Sequence, residues 1–354
     1  MKIFARKNIK YIVLFVLTFL AFAVMLFPTS GDALGFISEF LNVTVGWVFS
    51  LFPFSVMTVF ILLVPVFAGL FVWRIVVNAR RRSMKRFWTR VVCVLCAVFV
   101  WYTFVLGINY RKTSVYDKLG YAQAEYTLEN LEKTSEYLIG EFNKSAMYVD
   151  FDGENRALVL PDGYDAEKIT QEALAAIEKQ NFDFLYDFTL TPKYTFVPGI
   201  LNALGFDGVY FPLFAELNID SAVSAGNLCV LLTHELMHAK GVLNEAQAEY
   251  LAQYICVNSD DPIMRYCGCY TAVTRILTVI RDIDENAYRA RLQNITDEYL
   301  RARVGYFTSL PETTGVITSV ANFFYDIYLK LNFMSGISVY DESVYGWVRF
   351  CASV

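Results

Sequence analysis

The amino-acid sequence predicts a mainly α-helical protein: transmembrane helices at the N-terminus, then a mostly helical domain with a small β-hairpin and an edge strand. The first observation is composition, because 56% of the 354 residues are hydrophobic and only 18% are charged, whereas soluble chains average about 25% charged residues. The second is a concentration of long uncharged stretches in the first third of the chain. The third is the helical spacing of apolar residues in most of the remainder. Together they exclude a disordered or collagen-like chain.

Residues 1–110 are predicted to form a membrane domain with three spans. A helix needs about 20 apolar residues to cross the hydrocarbon core, and the uncharged stretches fit spans at 10–28, 53–75 and 88–109. Residues 35–52 carry polar side chains and are predicted to form an interfacial helix leading into the second span. A cleaved signal peptide is the alternative for the first span, but no A-x-A cleavage site follows it, so an uncleaved span is preferred.

Basic residues predict how this domain is oriented. Residues 1–110 have a net charge of +9, with the Lys and Arg residues concentrated at the N-terminus and in the second loop, 74–90. By the positive-inside rule both segments are cytoplasmic, so residues 111–354, with a net charge of −14, lie outside the cytoplasm. The second loop could instead bind lipid head groups or nucleic acid, but a topology signal explains its position. The acidic C-terminal part argues against a nucleic-acid partner; the predicted partner is the lipid bilayer of a cell membrane.

Residues 111–354 form the second predicted domain. A hairpin is predicted at 147–160 and an extended, edge-strand segment around 208–219. Five of the seven cysteines lie in this domain, and Cys267-Gly-Cys269 lacks the spacing of a zinc site. Most are expected to be buried free thiols; a disulfide is the alternative, and its pairing cannot be derived from the sequence. Apolar periodicity predicts helices over 114–142, 166–179, 222–240, 245–257, 261–281, 284–306 and 314–333.

The two histidines of the chain both lie in His234-Glu235-Leu236-Met237-His238, inside a predicted helix. A spacing of four places both imidazoles on one helix face, as two ligands of one metal ion require. In this H-E-x-x-H pattern, Glu235 is the general base of a zinc-dependent hydrolase. The alternative is a chance match on an amphipathic helix. The apolar remainder of the helix opposes it, because a buried His-Glu-His face is costly unless it is paired or ligated.

A third ligand follows in the next predicted helix, which begins after Asn244. Glu245 and Glu249 are four residues apart and share a face, and small alanines on that side allow close packing against the histidine helix. Two histidines and one glutamate make a catalytic zinc set with an open position. Glu245 is assigned as the ligand, and Glu249 as the residue that accepts a hydrogen bond from a ligand histidine. The reverse assignment is an alternative. Another is that both glutamates are solvent-exposed residues at the start of a helix, where the helix dipole favours acidic side chains.

The segment from Glu245 to Glu249 resembles the E-x-x-A-[DN] segment of gluzincin metallopeptidases, in which the first Glu binds zinc. Over nearly its whole length the chain also resembles the bacterial membrane family called domain of unknown function 3810. Its members look like three-span proteins with an outer H-E-L-x-H domain. The matching segments are Leu51-Phe-Pro-Phe-Ser55, Gly107-Ile-Asn-Tyr-Arg111, Gly208-Val-Tyr-Phe-Pro-Leu-Phe-Ala-Glu216, the HELMH helix with Gly241, Tyr328-Leu-Lys330, Gly336 and Tyr340.

Two positions depart from that family's pattern. Gln247-Ala248-Glu249 stands where the family has E-A-N, and Val339-Tyr340 stands where it has S-Y. The three proposed ligands lie outside these departures, and Glu249 lies within the first of them. The resemblance implies a zincin-like fold and a membrane-anchored zinc peptidase.

The expected activity is hydrolysis of a peptide or protein substrate, with Zn²⁺ as cofactor and Glu235 as general base. Tyr340 and Tyr328 are candidates for stabilising the oxyanion, because they lie in the resembling C-terminal segments. Glu216 and Asn218 are expected to bind substrate near the edge strand, although Glu216 could instead cap a turn. The alternative function is a non-catalytic, membrane-anchored binding or scaffold protein with a vestigial or structural metal site. An intramembrane protease is excluded, because the motif lies in a charged domain far from the spans; substrate identity and oligomeric state do not follow from the sequence.

Overall fold

A computed structural model describes residues 2–153, 157–223, 225–309, 315–334 and 342–354. Helix accounts for 70% of the structure and strand for 4%, which confirms the predicted mainly α class. The chain divides into two compact units. The first comprises residues 1–113 and 211–216, and the second comprises residues 114–210 and 217–354.

The first unit consists mainly of four long helices. They are α1 (Lys2–Leu26), α2 (Ser30–Ser50), α3 (Val56–Arg80) and α4 (Met84–Val105), followed by a 3₁₀ turn at Gly107–Arg111. All four are long and apolar enough to cross a membrane. The predicted spans 10–28, 53–75 and 88–109 correspond to α1, α3 and α4, and the predicted interfacial segment 35–52 overlaps most of α2. Length and composition therefore give four candidates where the sequence analysis expected three spans.

Polar side chains of α2 bind the end of α4. The Ser38 hydroxyl and the Asn42 amide donate hydrogen bonds of 2.7 and 3.0 Å to the carbonyl oxygen of Val105, the last residue of α4. Asn109 of the 3₁₀ turn donates to the Ser38 hydroxyl at 2.7 Å. The last carbonyls of a helix have no partner within the helix, and buried polar groups are costly without one. These contacts fix the middle of α2 at the level where α4 ends.

Segment 211–216 belongs to the first unit, where it contacts the start of α3. The Glu216 carboxylate accepts hydrogen bonds from the backbone amides of Val56 at 3.2 Å and Met57 at 3.0 Å. The Phe214 ring packs on Phe60, with ring centroids 5.7 Å apart. A carboxylate at the first turn of a helix satisfies orphan N–H groups and complements the helix dipole.

The described residues of the second unit are mostly helical. A small sheet of order β1-β3-β2 also contains Phe211 and Glu216 of the first unit; in it β1 and β3 are parallel and Lys193 lies opposite Asn218. The strands are β1 (Lys193–Tyr194), β2 (Gly208–Phe211) and β3 (Glu216–Ile219). The helices are α5 (Val115–Lys118), α6 (Leu128–Ser145), α7 (Ala166–Gln180), α8 (Ala225–Ala239), α9 (Glu245–Val257), α10 (Pro262–Ile283), α11 (Glu285–Leu292), α12 (Glu298–Ser309), α13 (Val316–Leu331) and α14 (Ser343–Ser353). Helix α9 lies in the core of the second unit. Nearly all its residues are buried, as expected for a helix that is apolar on most faces.

Three of the predicted elements differ from the structure. The helix predicted over 114–142 is two helices, because Gly120 adopts a left-handed conformation and Thr127 caps α6. The helix predicted over 284–306 is interrupted between α11 and α12, where the Asp297 carboxylate accepts from the backbone amides that begin α12. Of the hairpin predicted over 147–160, the described residues 147–153 and 157–160 show an antiparallel bridge between Phe151 and Leu158.

Candidate metal centre

The turn that ends α8 leads directly into the site. Gly241 has a φ of 88°, in the left-handed region that glycine tolerates. Its amide donates to the carbonyl of His238, and the amide of Val242 donates to the carbonyl of Met237. This is the Schellman arrangement that terminates many helices. Asn244 then caps α9 by accepting a hydrogen bond from the amide of Gln247. Five residues, 240–244, thus reverse the chain so that α9 returns beside α8.

Three side chains converge where the end of α8 meets the start of α9. Atom Oε2 of Glu245 lies 3.3 Å from Nε2 of His234 and 3.3 Å from Nε2 of His238. One ligand atom from each residue lies within 4.8 Å of the others, and all three residues are buried. Tetrahedral ligands at about 2.0–2.1 Å from a zinc ion are about 3.3 Å from one another. The cluster can therefore hold a metal ion, and its two nitrogens and one oxygen match the donor set of a catalytic zinc site.

The second nitrogen of each imidazole lies close to an oxygen atom. Nδ1 of His238 lies 2.9 Å from the carbonyl oxygen of Val242. Because a carbonyl only accepts hydrogen bonds, this contact makes Nδ1 the donor and leaves Nε2 directed at the cluster. Nδ1 of His234 lies 3.1 Å from Oε2 of Glu249. In both rings Nε2 is therefore the nitrogen that faces the cluster, as a metal bound through Nε2 requires.

A buried chain of polar contacts supports Glu249 from behind. The Gln253 amide donates to Oε1 of Glu249 at 2.9 Å, and the Trp347 indole N–H donates to Gln253 at 2.8 Å. Arg275 lies 3.7 Å from the same carboxylate. Gln253 and Trp347 are almost fully buried, so their rotamers are fixed by packing. The orientation of His234 is thus determined through Glu249 by α9, α10 and α14.

Tyr325 of α13 binds the third residue of the cluster. Its hydroxyl donates a hydrogen bond of 2.8 Å to Oε1 of Glu245, while Oε2 of the same carboxylate faces the histidines. The Tyr325 ring also packs edge-on against Phe206. The sequence analysis did not identify Tyr325. The one feature of the sequence that could have pointed to Tyr325 is its position three residues before Tyr328, which begins a segment resembling the family.

Glu235 is buried beside the cluster and bound to strand β2. Its Oε2 accepts a hydrogen bond of 2.5 Å from the backbone amide of Tyr210. Strand β2 is an edge of the sheet, and it approaches α8 closely at Gly208, where an added Cβ would lie 3.3 Å from Leu231. The edge of the sheet and the carboxylate of the H-E-x-x-H motif therefore face each other.

The charges of the cluster compensate one another. Burial would lower the pKa of His234, but hydrogen bonds with Glu245 and Glu249 outweigh it and raise that pKa well above its usual value. Burial would raise the pKa of Glu245, but His238 and His234 hold it well below its usual value. Burial raises the pKa of Glu235, against the opposing effect of both imidazolium charges. Ligand imidazoles and carboxylates must be deprotonated to bind a metal, so binding a divalent cation here would release protons.

The remaining predicted residues lie elsewhere. Asn218 is fully buried in the central strand β3. The Glu216 carboxylate binds the first-turn amides of α3, and its predicted role in substrate binding stays a prediction. Tyr328 stacks on Tyr325 at a centroid distance of 5.9 Å. Tyr340 lies outside the residues that the structure describes, so its oxyanion role stays a prediction.

The chain matches the model of a known protein family. A family model described as "Protein of unknown function (DUF3810)" matches residues 36–345, most of the chain. No curated protein matches, and no solved structure matches. The match confirms the family resemblance and carries no functional description with it.

Proposed function

Because the chain belongs to the DUF3810 family, whose function is unknown, we propose an activity from the site itself: a membrane-anchored, zinc-dependent metallopeptidase. The observation that carries the proposal is the burial of Glu235 beside a cluster of two imidazoles and one carboxylate. A structural metal site needs only its ligands. A buried carboxylate with a raised pKa beside such a cluster is what a general base requires.

His234, His238 and Glu245 would hold the zinc ion. When bound, zinc lowers the pKa of water to about 7 and polarises a carbonyl group. Glu235 would accept the proton of the attacking water and deliver it to the leaving amine. Its hydrogen bond from the Tyr210 amide orients the carboxylate for that transfer. Strand β2 offers an edge to which an extended peptide substrate can add.

Glu235→Gln tests the catalytic part of the proposal. The variant is expected to retain zinc and to lose peptide hydrolysis, because the amide cannot take up the proton. The measurement is cleavage of an unstructured polypeptide, such as casein, by the purified full chain, with metal content determined on the same sample. Glu167→Gln, at an exposed position in the first turn of α7, is the matched control and should keep its activity. Hydrolysis equal to wild type in Glu235→Gln would contradict the peptidase proposal and favour a non-catalytic binding protein.

We also propose that α1, α3 and α4 span the membrane and that α2 lies at its surface. The middle of α2, at Ser38 and Asn42, binds the last residue of α4, which lies at the membrane surface if α4 spans. With three spans, the basic N-terminus and the basic segment between α3 and α4 face the same side, in agreement with the positive-inside rule. With four spans they would face opposite sides.

The number of spans decides which side of the membrane holds the site. Three spans place the C-terminal unit and the metal centre outside the cytoplasm. A reporter enzyme that folds only outside the cytoplasm, fused after Val354, should be active, and a reporter restricted to the cytoplasm should be inactive. The opposite pair of results would indicate four spans and a cytoplasmic site.

A further inference from the structure

Helix α13 exposes a continuous apolar face. Val320, Phe323, Phe324, Ile327 and Leu331 have relative exposures of 52%, 62%, 64%, 39% and 72%. Their spacing of three, four, seven and eleven residues from Val320 places them on one side of the helix. Large contiguous apolar patches are uncommon on soluble surfaces and indicate an interaction site.

The opposite face of α13 is packed against the second unit. Leu329 and Asn332 are buried, at 0% and 2% exposure, and the Tyr325 hydroxyl binds Glu245. The helix is therefore docked in a definite orientation, with its apolar face outward. Packing among the described residues of the unit does not explain an exposed apolar face on a fixed helix.

We propose that this face of α13 inserts into the interfacial layer of the lipid bilayer. The exposures of its residues match those of apolar residues on the proposed membrane helices, where Phe15, Phe19 and Leu95 are 72%, 64% and 61% exposed. Phenylalanine and leucine are typical of the apolar face of helices that lie in a membrane surface. The occupant of the face is thus the same lipid that covers α1 and α4.

The length and charges of α13 restrict it to the surface of the membrane. Sixteen residues make a helix of about 24 Å, which is shorter than the hydrocarbon core of about 30 Å. Asp326 and Lys330 form an ion pair of 2.7 Å on the helix, and the Lys330 side chain is 60% exposed. These charged groups lie beside the apolar face, at the edge of the surface it would insert, where head groups and water solvate them.

The chain itself keeps the second unit near a bilayer. Its first residue, Ser114, follows the end of α4 at Val105 by nine residues, and nine residues reach at most about 30 Å. A surface that is tethered so closely to a membrane meets lipid at a high effective concentration. This favours lipid over a soluble protein as the occupant.

The test uses the full chain in nanodiscs with either ordinary or brominated acyl chains. A fluorescent dye is attached through an unnatural amino acid at position 324, or at position 133 in a control protein, where Lys133 is 67% exposed and paired with Glu129. Bromine in the acyl chains should cause a loss of fluorescence at position 324 and none at position 133. Equal fluorescence in both lipids at position 324 would overturn the proposal.

Two further variants separate insertion by the helix from insertion by the dye. Phe323→Ser on the apolar face should reduce the quenching at position 324, whereas Tyr148→Ser, at a site 67% exposed on another surface, should not. Unchanged quenching in Phe323→Ser would overturn the proposal, because the dye alone would then explain the signal. Protection of α13 by a second copy, detected as a crosslink between position 324 in two chains with no quenching, would also contradict it. Neither result depends on whether the protein is a peptidase.

Discussion

Replacing Glu249 by glutamine isolates one contact behind the metal centre and leaves the three ligand residues intact. Its carboxylate lies 3.1 Å from Nδ1 of His234 and accepts a hydrogen bond of 2.9 Å from Gln253. Glutamine has nearly the same shape but no charge, so it holds the imidazole less strongly and no longer increases the basicity of Nε2. Such outer contacts are worth about 10–100-fold in metal affinity, or about 1.4–2.7 kcal/mol.

The assay is zinc affinity of the purified full chain, measured by competition with a chromophoric chelator. Glu249→Gln should bind zinc about 10–100-fold more weakly than wild type, with an unchanged circular dichroism spectrum. Glu129→Gln, whose side chain is 76% exposed on α6, is the matched control and should bind as wild type does. Complete loss of zinc would make Glu249 a ligand and reverse its assignment with Glu245. Affinity equal to wild type would refute the argument that Glu249 orients His234.

Three more substitutions test other contacts. Tyr325→Phe removes a hydrogen bond of 2.8 Å to the Glu245 carboxylate and should weaken zinc binding by about 1.5–3 kcal/mol in the same competition assay; unchanged binding would exclude a positioning role. Gly241→Ala forces a side chain into a φ of 88° and should lower the free energy of unfolding by about 1–2 kcal/mol, measured by chemical denaturation. Asp220→Asn weakens the hydrogen bonds that its carboxylate accepts from four backbone amides and should cost about 1–3 kcal/mol at pH 7. Burial opposes these amides, but they lower the pKa of Asp220 in the folded state. Its contribution is therefore complete above the unfolded pKa of about 3.9 and is lost as the pH falls through the folded pKa. The difference between variant and wild type should shrink in acid; a constant difference would contradict this assignment.

The sequence was most informative where local patterns carry the structure. The helix predicted over 245–257 has those bounds in the structure, because Asn244 caps it and its apolar residues repeat without interruption. The histidine helix, predicted over 222–240, is Ala225–Ala239. A spacing of four on one helix also made the pairing of His234 with His238 predictable. Local geometry alone determines that pairing.

Long-range contacts could not be predicted in the same way. Tyr325 reaches Glu245 across 80 residues of sequence, and Trp347 supports Glu249 through Gln253 from the last helix of the chain. The role of Glu216 at the start of α3 depends on a contact across 160 residues. Neither spacing nor composition records such contacts, since they depend on how the helices pack.

The boundaries within long helical patterns were also hard to predict. Apolar periodicity continues through the breaks before α6 and α12, where Thr127 and Asp297 cap the following helices. A side chain that caps a helix competes with continuation of the preceding helix, and the two outcomes differ by about 1 kcal/mol. Tertiary packing decides between them. The helices can therefore be predicted from the sequence, but not every break between consecutive helices.

The most direct test of the account is the metal content of the purified full chain, determined by elemental analysis after removal of loosely bound ions. Wild type and Glu235→Gln are predicted to retain one zinc ion per chain, and His238→Ala and Glu245→Ala are predicted to retain none while remaining folded. A wild-type chain that binds no divalent metal, or a His238→Ala chain that binds as much as wild type, would contradict the claim that His234, His238 and Glu245 together bind a single cation.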